Sequence, residues 1–192
     1  MKLRALVVAL GLALGTAAHA APPVLVEMVD LSCAHCAAFA GTAGTIAQRV
    51  RRAGGIFRIA PVGPVIGKDS PALSVLVVYW SESHQDDASG EDIVAAFYAG
   101  YQNNADLAGP AGIASWLATR GITWPQLADL QDPRLYRRFF RAVQMAGDAG
   151  VSDLPAVLFI NPDSGAVTHV ETWSGSAADL GNRINKYLQQ EH

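Results

Sequence analysis

The stretch Val24-Leu25-Val26-Glu27-Met28-Val29-Asp30-Leu31-Ser32-Cys33-Ala34-His35-Cys36 decides how this chain folds. Its first six residues are a short, largely apolar run rich in β-branched side chains, the pattern of a buried strand. Asp30, Leu31 and Ser32 make a turn. From Cys33 onward the chain is rich in alanine, and Phe39, Ala43, Ile46 and Val50 recur at spacings of four, three and four, which is one apolar face of a helix. Arg49, Arg51 and Arg52 fall in the last turn of that helix, and Gly54-Gly55 stops it. Strand, turn and helix therefore follow one another, with Cys33 at the helix N-terminus.

Cys33 and Cys36 are the only cysteines in 192 residues, so no disulfide framework exists apart from this pair. A four-cysteine zinc site is excluded. Cys33, His35 and Cys36 are too cramped to close a tetrahedral site without distant ligands, and His84 and His169, which would have to supply them, lie in no spaced histidine motif. No metal or other cofactor is expected. A disulfide across a four-residue loop constrains the unfolded chain little, because the entropic gain grows with loop length. The remaining reading is a pair that opens and closes. Unpaired N–H groups and the positive dipole end of the helix favour a thiolate at Cys33, and a protonated His35 adds to the effect; a surface histidine without that role is the alternative. Cys36, one turn further in, is expected to be more buried. The two cysteines then take unequal roles: Cys33 attacks or is attacked, and Cys36 resolves the mixed disulfide. Stabilising the reduced form makes the oxidised pair a stronger oxidant, so His35 argues for donating disulfides.

The first twenty residues read as a secretory signal peptide. Lys2 and Arg4 form the basic end, Leu6 to Leu14 the apolar centre, and Ala18-His19-Ala20 the small-x-small cleavage signal. A membrane anchor is the competing reading, but the apolar stretch falls well short of the roughly 20 residues a spanning helix needs. Export places the mature chain in an oxidising compartment, the periplasm. Removing Lys2 and Arg4 leaves 12 basic against 17 acidic side chains, about −5. No basic field draws the protein to nucleic acid. A chain that is 51% hydrophobic and 16% charged can bury a sizeable core.

Further along, Ile56–Ala60 reads as a strand and Pro61-Val62-Gly63-Pro64 as a loop. Asp69-Ser70-Pro71 reads as a helix start before the apolar run Leu73 to Trp80. Glu91 to Tyr101 and Gly109 to Arg120 carry helical spacing. Thr123-Trp124-Pro125 and Asp132-Pro133 each set a capping residue at or next to a proline that can open a helix, the last presenting Leu135, Phe139, Val143 and Ala146. Two or three such helices would form an inserted lobe at about 69–148. Ala156–Ile160 and Ala166–Glu171 flank a tight turn as a hairpin, and Ser176 caps a final helix with Leu180, Ile184 and Leu188 inward. Trp80, Trp116, Trp124 and Trp173 are expected in the core.

The segment Val26 to Cys36 resembles the active-site segment of DsbA-type thioredoxin-fold oxidoreductases, which typically carry Cys-Pro-His-Cys. Gly150-Val151-Ser152-Asp153-Leu154-Pro155-Ala156-Val157-Leu158-Phe159-Ile160 resembles that family's loop, cis-proline and strand. The resemblance implies an α/β chain: a thioredoxin fold with an inserted helical lobe, residues 21–192 after the leader. It implies that Pro155 is cis and faces Cys33 and Cys36, and that Leu154 offers backbone hydrogen bonds to an incoming peptide. Glu27 falls where the family keeps a buried acidic residue, which could relay protons to or from Cys36, with Arg58 as a candidate basic partner; an exposed strand-edge glutamate is the alternative. Two departures stand out: Ala34 replaces the usual proline and Leu154 the common valine.

The function expected is that of a periplasmic dithiol oxidase. Its partners would be secreted cysteine-containing proteins and a membrane redox partner that recharges the pair, and nothing demands more than a monomer. A disulfide reductase or isomerase is the nearest alternative. Isomerases of the related DsbC and DsbG type carry an N-terminal dimerisation domain, for which a strand starting three residues after cleavage leaves no room. A non-catalytic thioredoxin-fold binding module is the third reading, disfavoured by the retention of both cysteines around His35.

Overall fold

The computed structural model describes residues 21–66, 70–82, 90–123 and 125–190. The expected signal peptide lies outside the described residues, as do Asp69, His84 and Trp124. The elements, in order, are β1 (Val24–Asp30), α1 (Ala34–Arg52), β2 (Ile56–Gly63), β3 (Val65–Ile66), β4 (Ser70–Pro71), α2 (Leu73–Ser81), α3 (Gly90–Gln102), α4 (Pro110–Ala118), a 3-10 turn (Asp129–Gln131), α5 (Pro133–Asp148), β5 (Ala156–Ile160), β6 (Val167–Thr172) and α6 (Ala177–Gln190).

Four strands form one sheet in the order β2-β1-β5-β6. β1 and β2 run parallel, a pairing that needs a crossover, and α1 is that crossover. β5 runs antiparallel to β1, and β6 antiparallel to β5. Strand β1 is thus paired on both sides and covered on both faces, which is why its sequence is a near-continuous apolar run. On one face, α1 and α6 bury Leu25, Phe39, Ile46, Val50, Val157, Leu180 and Ile184. On the other, Met28, Ala156 and Leu158 meet a larger cluster built from α2, α3, α4 and α5, with Phe97 and Phe139 fully buried in it. This is a thioredoxin fold with a helical lobe inserted between β2 and β5. No helix among the described residues is long and apolar enough to cross a membrane.

Several local expectations are corrected. Pro61 to Gly63 is not loop but the end of β2, running to the Asp30–Gly63 pairing across a register shift; β2 is an edge strand, where a proline costs little because one side makes no ladder bonds. Ser70-Pro71 does not start a helix but pairs with Val65–Ile66 in a small ribbon, and α2 begins at Leu73 without a side-chain cap. Burial of nearly the whole α2 run, rather than a cap, holds that helix. No helix opens at Pro125, where Asp129 Oδ2 instead accepts from the Gln126 N–H at 3.1 Å. Among the described residues the lobe contains four α-helices rather than two or three. In α5 the buried stripe is Leu135, Phe139 and Ala142, and Val143 turns to solvent at 41% exposure because it sits about 100° around the helix from Ala142.

Candidate active site

The turn after β1 is fixed by Asp30. Its Oδ1 accepts from the Ser32 N–H at 2.7 Å and from Ser32 Oγ at 2.6 Å, and its carbonyl accepts from the Cys33 N–H at 3.0 Å. Gly63 is required beside it: a Cβ there would lie 2.1 Å from Asp30 Oδ2. The Gly63 carbonyl accepts from the Leu31 N–H at 3.0 Å, tying the turn to the end of β2. Cys33 follows in an extended conformation as the N-cap of α1, and its Sγ accepts from the Cys36 N–H at 3.3 Å. The sulfur fills the position usually taken by a serine or aspartate oxygen and satisfies one of the helix's orphan donors.

The two thiols have opposite surroundings. Cys33 is partly exposed, whereas Cys36 is fully buried. Burial pushes the Cys36 thiol well above its ordinary range; an opposing backbone hydrogen bond from Asp30 is outweighed, and Cys33 and Glu27 push it further up. Facing the pair, the Leu154–Pro155 peptide is cis. The Cys33 thiol donates to the Leu154 carbonyl oxygen at 3.8 Å, and Pro155 is buried at the head of β5, where Met28 pairs with Ala156. The strand that delivers Cys33 and the strand that carries Pro155 are therefore neighbours.

His35 is exposed in the first turn of α1 and stacks flat on Trp173, with ring centroids 4.6 Å apart and planes 7° from parallel. Trp173, expected in the core, is instead half-buried at this edge of the site. Trp80 and Trp116 are also half-buried rather than fully enclosed. His169 is remote from the cysteines' chemistry, stacked on Tyr187 and bonded to Glu171. Among the described residues no group of three His, Cys, Asp or Glu side chains could hold a metal ion.

Glu27 is buried at 2% exposure. Burial, reinforced by the charge of Glu91, pushes its carboxyl up to about 8. Arg58 is not its partner. The register sets Arg58 opposite Val26 and Ile59 opposite Glu27, so Arg58 belongs to the other face of the sheet, where its charge acts on Glu82. Glu27 instead borders a cavity of about 270 Å³ between α1 and α3, lined by Ala40, Gly41, Gly44, Glu91, Asp92 and Tyr98 among others. The Tyr98 hydroxyl is buried and makes no hydrogen bond among the described residues; burial raises its pKa, and the charges of Glu27, Cys36 and Cys33 raise it further. The lining of this cavity is mostly apolar, but the Glu27 carboxyl and the Tyr98 hydroxyl give water within it polar partners.

Sequence reasoning brought together Cys33, Cys36, His35, Leu154, Pro155 and Glu27. It missed Tyr98, which reads as one apolar position on a helix of the lobe, and Trp173, which the strand pattern places no differently from a core residue. It also gave Asp30 no role beyond the turn. The docking of α3 on α1 brings Tyr98 toward the cysteines, and the pairing of β6 with β5, itself paired with β1, brings Trp173.

No protein-family model matches the sequence, and no curated protein matches it. Solved structures do match. A Nitrosomonas europaea protein provisionally assigned as a protein disulfide isomerase aligns over 90% of this chain and 100% of its own, at 16% identity and a TM-score of 0.67. DsbA from Xylella fastidiosa aligns over 86% of this chain and 83% of its own, at 18% identity and a TM-score of 0.63. The cytosolic disulfide reductase DsbM of Pseudomonas aeruginosa aligns over 87% and 99%, at 14% identity and a TM-score of 0.63. At these identities the likeness is one of fold: the chain has the DsbA-like form of the thioredoxin fold.

Proposed function

We propose that the protein is a thiol:disulfide oxidoreductase, and more narrowly a periplasmic dithiol oxidase that donates the Cys33–Cys36 disulfide to secreted cysteine-containing proteins. The observation that carries this reading is the asymmetry of the pair. A reachable sulfur caps a helix, a fully buried one lies a turn behind it, and the Leu154 carbonyl faces the first. In the oxidised protein a substrate thiolate attacks Cys33 Sγ. The Cys33–Cys36 bond breaks, Cys36 leaves as a thiolate, and a mixed disulfide forms between Cys33 and substrate. A carboxyl poised near 8 stands close enough for its charge to act on Cys36, and Glu27 supplies the proton the leaving thiolate takes up. A second substrate thiolate then attacks the substrate sulfur of the mixed disulfide. The product disulfide forms, Cys33 leaves as a thiolate, and two electrons have passed to the pair. A membrane redox partner accepts those electrons and restores the disulfide. Leu154 and the cis Pro155 hold the incoming peptide alongside Cys33, and His35 steadies the Cys33 thiolate.

In this reading residues 1–20 are the cleaved leader. Residues 21–192 work as one monomeric unit, with the insertion at about 69–148 shaping the surface beside the pair. The likeness to a cytosolic disulfide reductase supports a second reading, in which the same chemistry runs toward reduction. The test is direct. Cys36→Ser should accumulate mixed disulfides on Cys33 that survive non-reducing electrophoresis, and Cys33→Ser should abolish disulfide transfer to a reduced model substrate; retained transfer in Cys33→Ser overturns the mechanism. Equilibration with glutathione then decides direction, a potential near the thioredoxin end of the range favouring the reductase.

A further inference from the structure

An exposed histidine in a first helical turn has no reason to keep one rotamer, and ordering it costs side-chain entropy. His35 is nonetheless held flat against Trp173. The indole is itself mounted on a braced piece of backbone. The Trp173 N–H donates to the Pro155 carbonyl at 3.0 Å. On either side of it, Arg183 donates to Glu171 Oε2 at 2.6 Å, to the Thr172 carbonyl at 2.5 Å and to Ser174 Oγ at 2.6 Å. One guanidinium thus fixes the three residues that flank Trp173, and the cis-proline loop fixes Trp173 itself. Packing alone does not call for this arrangement. Trp173 is only half-buried against the α1–α6 cluster, a place any apolar side chain could fill, whereas only a flat ring can stack on an imidazole.

We propose that Trp173 is a positioning residue: it holds the His35 ring in place beside the Cys33–Cys36 pair and so sets the redox equilibrium of that pair. The inference rests on the oxidoreductase reading above. Removing the ring frees His35, weakens its support of the reduced state, and makes the pair more reducing. An aromatic pair is worth roughly 0.5–1.5 kcal/mol beyond its buried area, so the equilibrium constant against glutathione should move by about 2- to 10-fold.

The experiment is a double-mutant cycle on the mature protein, read as that equilibrium constant. Trp173→Leu keeps an apolar side chain and removes the stack; it should shift the constant several-fold, while Trp173→Phe should retain most of the wild-type value. In a His35→Ala background Trp173→Leu should cause no further shift, because the indole acts through the imidazole. Shifts that simply add, or a folded Trp173→Leu variant with an unmoved constant, overturn the proposal. If Trp173→Leu does not fold, the wild-type protein still answers: the carbon-bound protons of the His35 ring should show the upfield NMR shift of a ring lying on an indole face, and its absence overturns the stack. A wild-type pair with no reversible equilibrium with glutathione defeats the oxidoreductase reading instead, and the NMR shift remains readable in that case.

Discussion

Glu27→Gln should make the folded protein more stable at neutral pH and remove a pH dependence that the wild type carries. The Glu27 carboxyl has a pKa of about 8 in the folded state against an ordinary 4.5. Between these values the folded protein holds a proton that the unfolded chain has released. The stability this confers is therefore complete below about 4.5 and is lost as pH rises through about 8. Each pKa unit corresponds to about 1.4 kcal/mol, so the wild type should lose roughly 3 kcal/mol between pH 4.5 and 7, and roughly 5 kcal/mol by pH 8 and above. Glutamine keeps the shape and the polar atoms and cannot ionise. Urea unfolding of the reduced proteins at half-unit steps from pH 4.5 to 9 measures the difference directly, with the m-value confirming that the same surface unfolds. The expected result is a wild-type curve that falls relative to Glu27→Gln across that window. Parallel curves would refute the claim that burial governs this carboxyl, and with it the case for Glu27 as a proton donor to Cys36.

Three further outcomes are expected. Glu27→Gln should also slow disulfide transfer more at pH 7, where the carboxyl still carries the proton it gives to Cys36, than at pH 9, where it has already released it; an equal effect at both values, in stopped-flow transfer to a reduced peptide, would count against the relay. Gly63→Ala should destabilise the protein by about 1–3 kcal/mol in urea, because its new methyl would meet Asp30 Oδ2 at 2.1 Å and push aside the side chain that holds Ser32. At Glu171, burial pushes the carboxyl up, but hydrogen bonds from Arg183 and His169 outweigh it and hold the net value below the ordinary range. Its contribution is therefore present above about pH 4.5 and lost as pH falls further, so Glu171→Gln should cost about 1.5–3 kcal/mol at pH 7 and progressively less in acid, as read by thermal unfolding.

The parts of the fold legible in the sequence are those that local pattern controls. Phe39, Ala43, Ile46 and Val50 face one way because helix geometry puts them there, and Cys33 caps the helix because the strand, turn and helix are contiguous in sequence. The Asp132-Pro133 start of α5 was equally local, with Asp132 accepting from the Arg134 N–H at 2.8 Å. What escaped depends on distant chain. Pro61 is strand because β1 lies beside it, Val143 is exposed because of where α5 lands, and Arg58 misses Glu27 because parallel pairing fixes its face. The same holds within the site. Cys33, His35 and Cys36 share one helical turn and could be read together, while Tyr98 and Trp173 reach them from 62 and 137 residues beyond Cys36.

The sulfur of Cys33 serves as the N-cap of α1, and this joins two quantities that are usually measured apart. A thiolate sulfur is a stronger acceptor for the Cys36 N–H than a neutral disulfide sulfur, so on the proposed reading, in which Cys33 works as a thiolate, the helix start is held more firmly in the reduced pair. Whatever free energy that cap adds to the reduced fold is, by the thermodynamic cycle that links them, subtracted from the stability of the disulfide. The melting temperatures of the two redox forms should therefore differ in the same sense as the protein's appetite for electrons, and a calorimeter becomes a second electrode for this helix.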